Sequence, residues 1–174
     1  KINYDIPVIG FTGPPGAGKS SLLNALLAKM ANKWRIAILA VDPTSPFTSG
    51  SILGDRYRMN EYFLHQNVYI RSLATRGNLG GLSARTIEIT DVLRSCAFDF
   101  IFIETVGVGQ SEVEIAALAD TTILVLNPGT GDDIQALKAG IMEIADVFVI
   151  NKADRDQADA LVKHIQNMLR LRNQ

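Results

Sequence analysis

The sequence predicts a three-layer α/β fold with a mostly parallel central sheet covered by helices on both faces. Two observations carry this reading. Short apolar runs alternate along the chain with longer segments of helical period, and strands buried on both faces read as unbroken apolar runs. The polar residues of chemical character fall where those runs end, the edge beyond which open α/β sheets bind ligands.

The elements follow in order. A first strand is predicted at Val8 to Thr12, then a helix from Lys19 to about Asn32, in which Leu22, Leu23, Leu26, Leu27 and Met30 recur at helical spacing and face the sheet. A second strand is expected at Ile36 to Val41, a third at Val68 to Ser72 and a fourth at Phe100 to Glu104. The fifth and sixth are expected at Thr122 to Asn127 and Val147 to Asn151. Further helices are predicted at Leu82 to Ser95, Asp133 to Ala145 and Asp156 to Leu171. Pro43 to Gly54 and the glycine-rich Arg76 to Gly81 read as mobile loops. With 174 residues, no repeat and no low-complexity linker, one domain over 1–174 is expected.

Composition narrows the function classes. Hydrophobic residues make up 47% and charged residues 20%, ordinary globular usage that excludes a disordered tail, a collagen or a coiled coil. Seventeen Lys and Arg against eighteen Asp and Glu give a net charge of −1, which argues against a nucleic-acid partner. One cysteine, Cys96, and two histidines, His65 and His164, write no disulfide and no Cys/His metal cluster. With no apolar run of 18 residues, no membrane span is expected, and the reading is of an interior protein in a reducing compartment: cytoplasmic, or in the mitochondrial matrix if the source is eukaryotic.

Gly13-Pro14-Pro15-Gly16-Ala17-Gly18-Lys19-Ser20 matches G-x-x-x-x-G-K-[ST] between a predicted strand and a predicted helix, the context that confirms a phosphate-binding loop. Glycines let the backbone turn its N–H groups inward on phosphate oxygens, and the helix N-terminus adds partial positive charge. Lys19 supplies a charge to the β- and γ-phosphates, and the Ser20 hydroxyl is a Mg²⁺ ligand. Ser21, next on the helix, joins the nucleotide-binding candidates. The loop specifies the α/β class further, as a P-loop NTPase fold.

Glu104 ends an apolar strand, where a carboxylate is costly unless paired with a cation or hydrogen-bonded; Mg²⁺ is the partner expected, with a cap or sheet-edge role as the alternative. Asp42 stands in the same relation to the second strand, and also reads as a turn initiator before Pro43. Asp55 is either a metal ligand or the cap of a following helix. After Glu104, the glycines of Thr105-Val106-Gly107-Val108-Gly109-Gln110-Ser111 permit rearrangement, with the Gly107 N–H a γ-phosphate donor. Gln110 either orients an attacking water or is a solvated loop residue.

Asn151-Lys152-Ala153-Asp154, after the sixth strand, is N-K-x-D. Its aspartate can accept from N1–H and N2–H₂ of guanine, donors that adenine lacks, and a site built on such pairing rejects the unmatched base. The stem of Lys152 packs along the base in this reading. Alone the tetrapeptide is also a good turn and helix cap; downstream of a phosphate loop and an acidic strand end it points to GTP and GDP.

The chain thereby resembles the SIMIBI class of P-loop GTPases, with Glu104-Thr105-Val106-Gly107 in the place of Asp-x-x-Gly. Together with Val41-Asp42-Pro43-Thr44-Ser45, Gly54-Asp55-Arg56, Thr75-Arg76-Gly77, Leu79-Gly80-Gly81 and the run from Glu104 to Glu112, it closely resembles the MeaB/ArgK/MMAA family. That resemblance implies a GTPase that accompanies an adenosylcobalamin-dependent acyl-CoA mutase, typically methylmalonyl-CoA mutase, gating cofactor delivery and protecting the mutase. It implies a catalytic set of Lys19, Asp42 and Gln110 and a Mg²⁺ set of Ser20, Asp42, Asp55 and Glu104. It also implies a mobile loop from Pro128 to Lys138 that communicates with the mutase. The family's helical N-terminal extension, its later guanine-pocket loop and its C-terminal dimerisation arm are expected to lie outside this chain, so a homodimer is the expectation for the full-length protein. Other readings of the motifs are a kinase linked to arginine and ornithine transport, a nickel-insertion GTPase, which the single cysteine disfavours, and a nucleotide-binding module with negligible turnover.

Overall fold

A computed structural model describes residues 2–42, 59–74, 84–105, 111–129 and 140–172. Six strands form one sheet: β1 (Val8–Thr12), β2 (Ile36–Asp42), β3 (Val68–Ala74), β4 (Phe100–Thr105), β5 (Thr121–Leu126) and β6 (Val147–Ile150). Their order is β3-β2-β4-β1-β5-β6, and every pairing is parallel. The helices are α1 (Lys19–Met30), α2 (Ala84–Arg94), α3 (Ser111–Leu118), α4 (Ile141–Ile144) and α5 (Ala158–Arg172), with a short 3-10 turn at Asn60–Tyr62.

The pleat sorts the strand residues between two faces. On one face Phe11, Ile36, Ile38 and Phe102 pack against Leu23 and Leu27 of α1, with the rings of Phe11 and Phe102 edge to face at 5.5 Å. On the other, Val8, Ala37, Leu39, Ile101 and Ile103 meet Leu93 of α2 and Ile115 of α3. A third cluster joins Leu124 and Leu126 of β5 to Ile141 and Met142 of α4 and Ile165 of α5, whose Leu161, Ile165, Met168 and Leu169 form one apolar stripe. Gly10 lets α3 approach β1 closely: a Cβ there would stand 2.7 Å from Ile115 Cγ1.

Every expected strand is present, with ends moved by one residue or two. The sheet is wholly rather than mostly parallel among the described residues. Helix α3 is not among the expected elements: the switch segment ends at Ser111, the run from Glu104 ends at Glu112, and no element is expected over the rest of the helix. Of the helix expected at Asp133 to Ala145, the described part begins at Gly140 and is helical over Ile141–Ile144, Ala145 having already turned to an extended conformation. The loops expected at Pro43 to Gly54 and Arg76 to Gly81 lie outside the described residues.

Candidate functional site

The same pleat that buries Phe100 and Phe102 against α1 turns Glu104, the next residue of that parity, toward the first turn of α1. There the Ser20 hydroxyl donates to Glu104 Oε1 at 2.6 Å, with both residues 6% exposed. The buried carboxylate expected from the sequence is thus hydrogen-bonded, at the mouth of the phosphate-loop motif. Register sets Ala40 of β2 beside Glu104 and Val41 beside Thr105, so Asp42 ends β2 at the same edge of the sheet; its side chain lies outside the described residues.

The loop from Gly13 to Gly18 wraps the ammonium of Lys19, which donates to the carbonyls of Gly13 at 2.5 Å and Pro14 at 3.0 Å. Gly18 has φ +97°, a left-handed conformation costly for any residue with a Cβ, and a Cβ there would overlap the side-chain amide of Asn151. That near approach joins the two motifs. Asn151 Nδ2 donates to Ala17 O at 2.9 Å and Lys152 Nζ to Gly16 O at 2.8 Å, so two residues of N-K-x-D hold two consecutive carbonyls of the phosphate loop. Lys152 is itself left-handed, φ 54°, a strained state for a non-glycine residue that positions its N–H on Asn151 Oδ1 at 2.9 Å. Asp154 is exposed in the turn that the Arg155 N–H closes on Lys152 O.

A cleft of about 430 Å³ opens over this junction, lined by Pro15, Gly16, Gly18, Lys19, Ser20, Ser21, Ala40, Glu104, Thr105 and Lys152. Its volume falls in the range of small-molecule sites. Ala40 and Thr105 line it without having been singled out in the sequence. Thr105 donates to Phe11 O at 3.3 Å and sits buried against β1, while Ala40 is as small as Ala37 in the same strand, which packs in the core, so its size alone gave no signal. Gly107, Gln110, Asp55 and Lys138 lie outside the described residues, as does most of the segment from Pro128 to Lys138. Among the described residues no group of three or more His, Cys, Asp or Glu side chains gathers as a metal cage, and no helix is long and apolar enough to cross a membrane.

The sequence matches, over residues 5–174, the family described as methylmalonyl Co-A mutase-associated GTPase MeaB. The chain belongs to the MeaB family of GTPases. Among curated MeaB relatives, the Escherichia coli protein named GTPase ArgK is 44% identical over 160 residues, which are 90% of this chain and 48% of that protein. A Caenorhabditis elegans protein named methylmalonic aciduria type A homolog, mitochondrial, is 42% identical over 85% of this chain and 38% of its own. A GTPase so named from Pyrococcus horikoshii is 56% identical over 87% of this chain and 48% of that one. This MeaB-family chain therefore spans between 38% and 48% of the length of these relatives. Among solved structures, one described as a LAO/AO transport system kinase superposes with a TM-score of 0.67 at 31% identity, over 97% of this chain and 48% of that one. The hydrogenase maturation factor HypB of Archaeoglobus fulgidus, at TM-score 0.63 and 20% identity, covers 92% of this chain and 73% of its own and shares the fold.

Proposed function

We propose that this MeaB-family chain is a GTP-binding and GTP-hydrolysing domain, and that the protein it belongs to is a chaperone of an adenosylcobalamin-dependent acyl-CoA mutase. The observation that supports it most is the bonding of Asn151 and Lys152 to the carbonyls of Ala17 and Gly16, which makes a base-reading motif and a phosphate loop one unit. A guanine held by Asp154 and a phosphate chain held by the N–H groups of Gly16 to Ser21 would then belong to one molecule, a guanosine nucleotide. The mutase is supported by the family's description and by the name of the nematode relative.

In this reading water attacks the γ-phosphorus in line, the bond to the β–γ bridging oxygen breaks, and phosphate and GDP leave. Lys19 neutralises charge developing on the phosphoryl oxygens, Gly107 donates its N–H to the γ-phosphate, Gln110 orients the water, and Asp42 closes the site from the end of β2. Buried hydroxyl and carboxylate oxygens 2.6 Å apart suit a hard cation. Ser20 and Glu104, with Asp42 and Asp55 as further candidates, would hold Mg²⁺. When bound, Mg²⁺ supplies positive charge to the β- and γ-phosphate oxygens. The full-length protein is proposed to be a homodimer in the cytoplasm, or in the mitochondrial matrix of a eukaryote.

Calorimetric titration of this chain with GDP and ADP in magnesium buffer tests the base reading, and binding of GDP alone is expected. Equal binding of both would defeat it. For the longer protein, GTP turnover alone and with a cobalamin-dependent mutase tests the chaperone role, which absence of hydrolysis in both would refute. The likeness to a solved transport system kinase favours one further reading, transfer of the γ-phosphate to a transport protein. Radiolabel on a protein acceptor rather than in free phosphate would identify that activity.

A further inference from the structure

Three aspartates occupy one repeated position in the sheet. Asp99, Asp120 and Asp146 each stand immediately before a strand, β4, β5 and β6 in turn. Each grips the neighbouring strand twice. The carboxylates accept from the N–H of Arg35, Val8 and Thr122 respectively, each at 2.7 Å. The backbone N–H groups of the same aspartates donate back to the carbonyls of the same residues at 2.7, 2.8 and 2.9 Å. The paired residue is in each case the one that precedes the ladder of the adjacent strand.

At two of the three places the device duplicates what packing already fixes. Strands β4 and β5 are interior, hydrogen-bonded on both sides, and their side chains are mostly buried. Strand β6 differs: it is an edge of the sheet, has four residues, pairs among the described residues with β5 alone, and none of its side chains is fully buried. Phe148 and Ile150 are only half-buried against the third cluster, so packing specifies register less strongly here than in β4 and β5. Beyond its ladder with β5, two fastenings flank it among the described residues, the Asp146 clamp on Thr122 at its start and the Asn151 N–H on Leu126 O at 2.8 Å at its end. Asn151 and Lys152 follow directly, and in this register they reach the phosphate-loop carbonyls; a slip of one residue would turn the strand's side chains to the other face and shift the motif that follows.

We infer that Asp146 is a positioning residue for base recognition, fixing from the opposite end of β6 the register that sets the N-K-x-D motif against the phosphate loop. The inference rests on the guanine reading proposed above. Loss of a charge-assisted hydrogen bond is worth roughly a tenfold change in an equilibrium, and its replacement by a neutral one roughly threefold.

The test is titration of this chain and its variants with GDP, ADP and magnesium tripolyphosphate, the last probing the phosphate loop without a base. Asp146→Ala is expected to lose about tenfold in GDP-over-ADP preference and to keep its tripolyphosphate affinity. Asp146→Asn, whose amide oxygen still accepts from Thr122, is expected to lose about threefold, a preference between those of the parent and Asp146→Ala. Asp99→Ala, which removes the same clamp from an interior strand that packing still holds in register, is expected to lower the melting temperature and keep the preference. Parental preference in Asp146→Ala, or equal weakening of all three ligands, would overturn the inference. Should Asp146→Ala fail to fold, Asp146→Asn decides: reduced preference supports the inference and parental preference overturns it. A parent chain that does not distinguish GDP from ADP would instead overturn the guanine reading, and this inference with it.

Discussion

Ser20 Oγ donates to Glu104 Oε1 at 2.6 Å, a bond between residues 84 apart in sequence that ties the first turn of α1 to the end of β4. Both are buried, so the hydroxyl stabilises a carboxylate that water does not reach freely. Ser20→Ala removes a hydrogen bond to a charged group, a cost of about 1.5–3 kcal/mol in stability. It also deletes one proposed Mg²⁺ ligand. A lower melting temperature is expected together with a GTPase rate that rises with Mg²⁺ only at higher concentration than in the parent. Magnesium titrations of turnover check this, and an unchanged Mg²⁺ dependence would remove Ser20 from the metal set.

Gly18→Ala separates the two halves of the cleft. The new methyl group must share space with the Asn151 side-chain amide while the backbone keeps φ +97°. Holding an alanine left-handed costs about 1–2 kcal/mol before any clash. The hydrogen bond of Asn151 to Ala17 O is expected to break, and GDP affinity to fall by more than tenfold, since both the loop and the base motif are displaced. Asp154→Asn is the complementary change, at an exposed residue of the base motif. It is expected to leave melting temperature unchanged and to reduce discrimination between GDP and ADP, both measured on the same preparations.

Tyr62 gives the fold a pH dependence at its alkaline end. It is buried beside Leu27 and Met59 in the cluster under α1. Burial, and secondly the charge of Glu61, raise its hydroxyl pKa above 10.0. The folded state therefore holds this proton more tightly than the unfolded state does. Stability from this source is intact below about pH 10 and is lost as pH rises through the folded-state value, because the unfolded chain ionises first. Tyr62→Phe is expected to flatten the fall in melting temperature above about pH 10, measured by scanning calorimetry.

Much of this was legible because the chemistry is local in sequence. The phosphate loop occupies eight consecutive residues and the base motif four, each between a strand and a helix, and the strands were legible because burial on both faces leaves unbroken apolar runs such as Phe100 to Ile103. What escaped was set by contacts distant in sequence. Asp99, Asp120 and Asp146 look like ordinary turn residues until their partners, 64, 112 and 24 positions away, are brought alongside. Their signal was present, an aspartate before each of three strands, but its meaning depended on strand order. Helix α3 escaped for another reason: of its described side chains only Ile115 is fully buried, too little for a periodic apolar stripe.

That single anchor makes α3 sensitive to Gly10. Ile115 lies in the core between β1 and β4, and a Cβ on Gly10 would stand 2.7 and 2.8 Å from two of its carbons and 3.1 Å from Ala119 Cβ. Strand β1 is held by β4 and β5 on its two sides, so α3 is the part that must yield. Overpacking a close-packed interior by one methyl group costs typically about 1–3 kcal/mol. Gly10→Ala is therefore expected to lower the melting temperature by about 2–12 °C, at roughly 2–4 °C per kcal/mol for a domain of this size. Gly10→Ala with Ile115→Val removes one of the offending carbons and is expected to recover part of the loss. Differential scanning calorimetry of the two variants checks this, and a double variant less stable than Gly10→Ala alone would show that the contact with Ile115 is not the source of the cost.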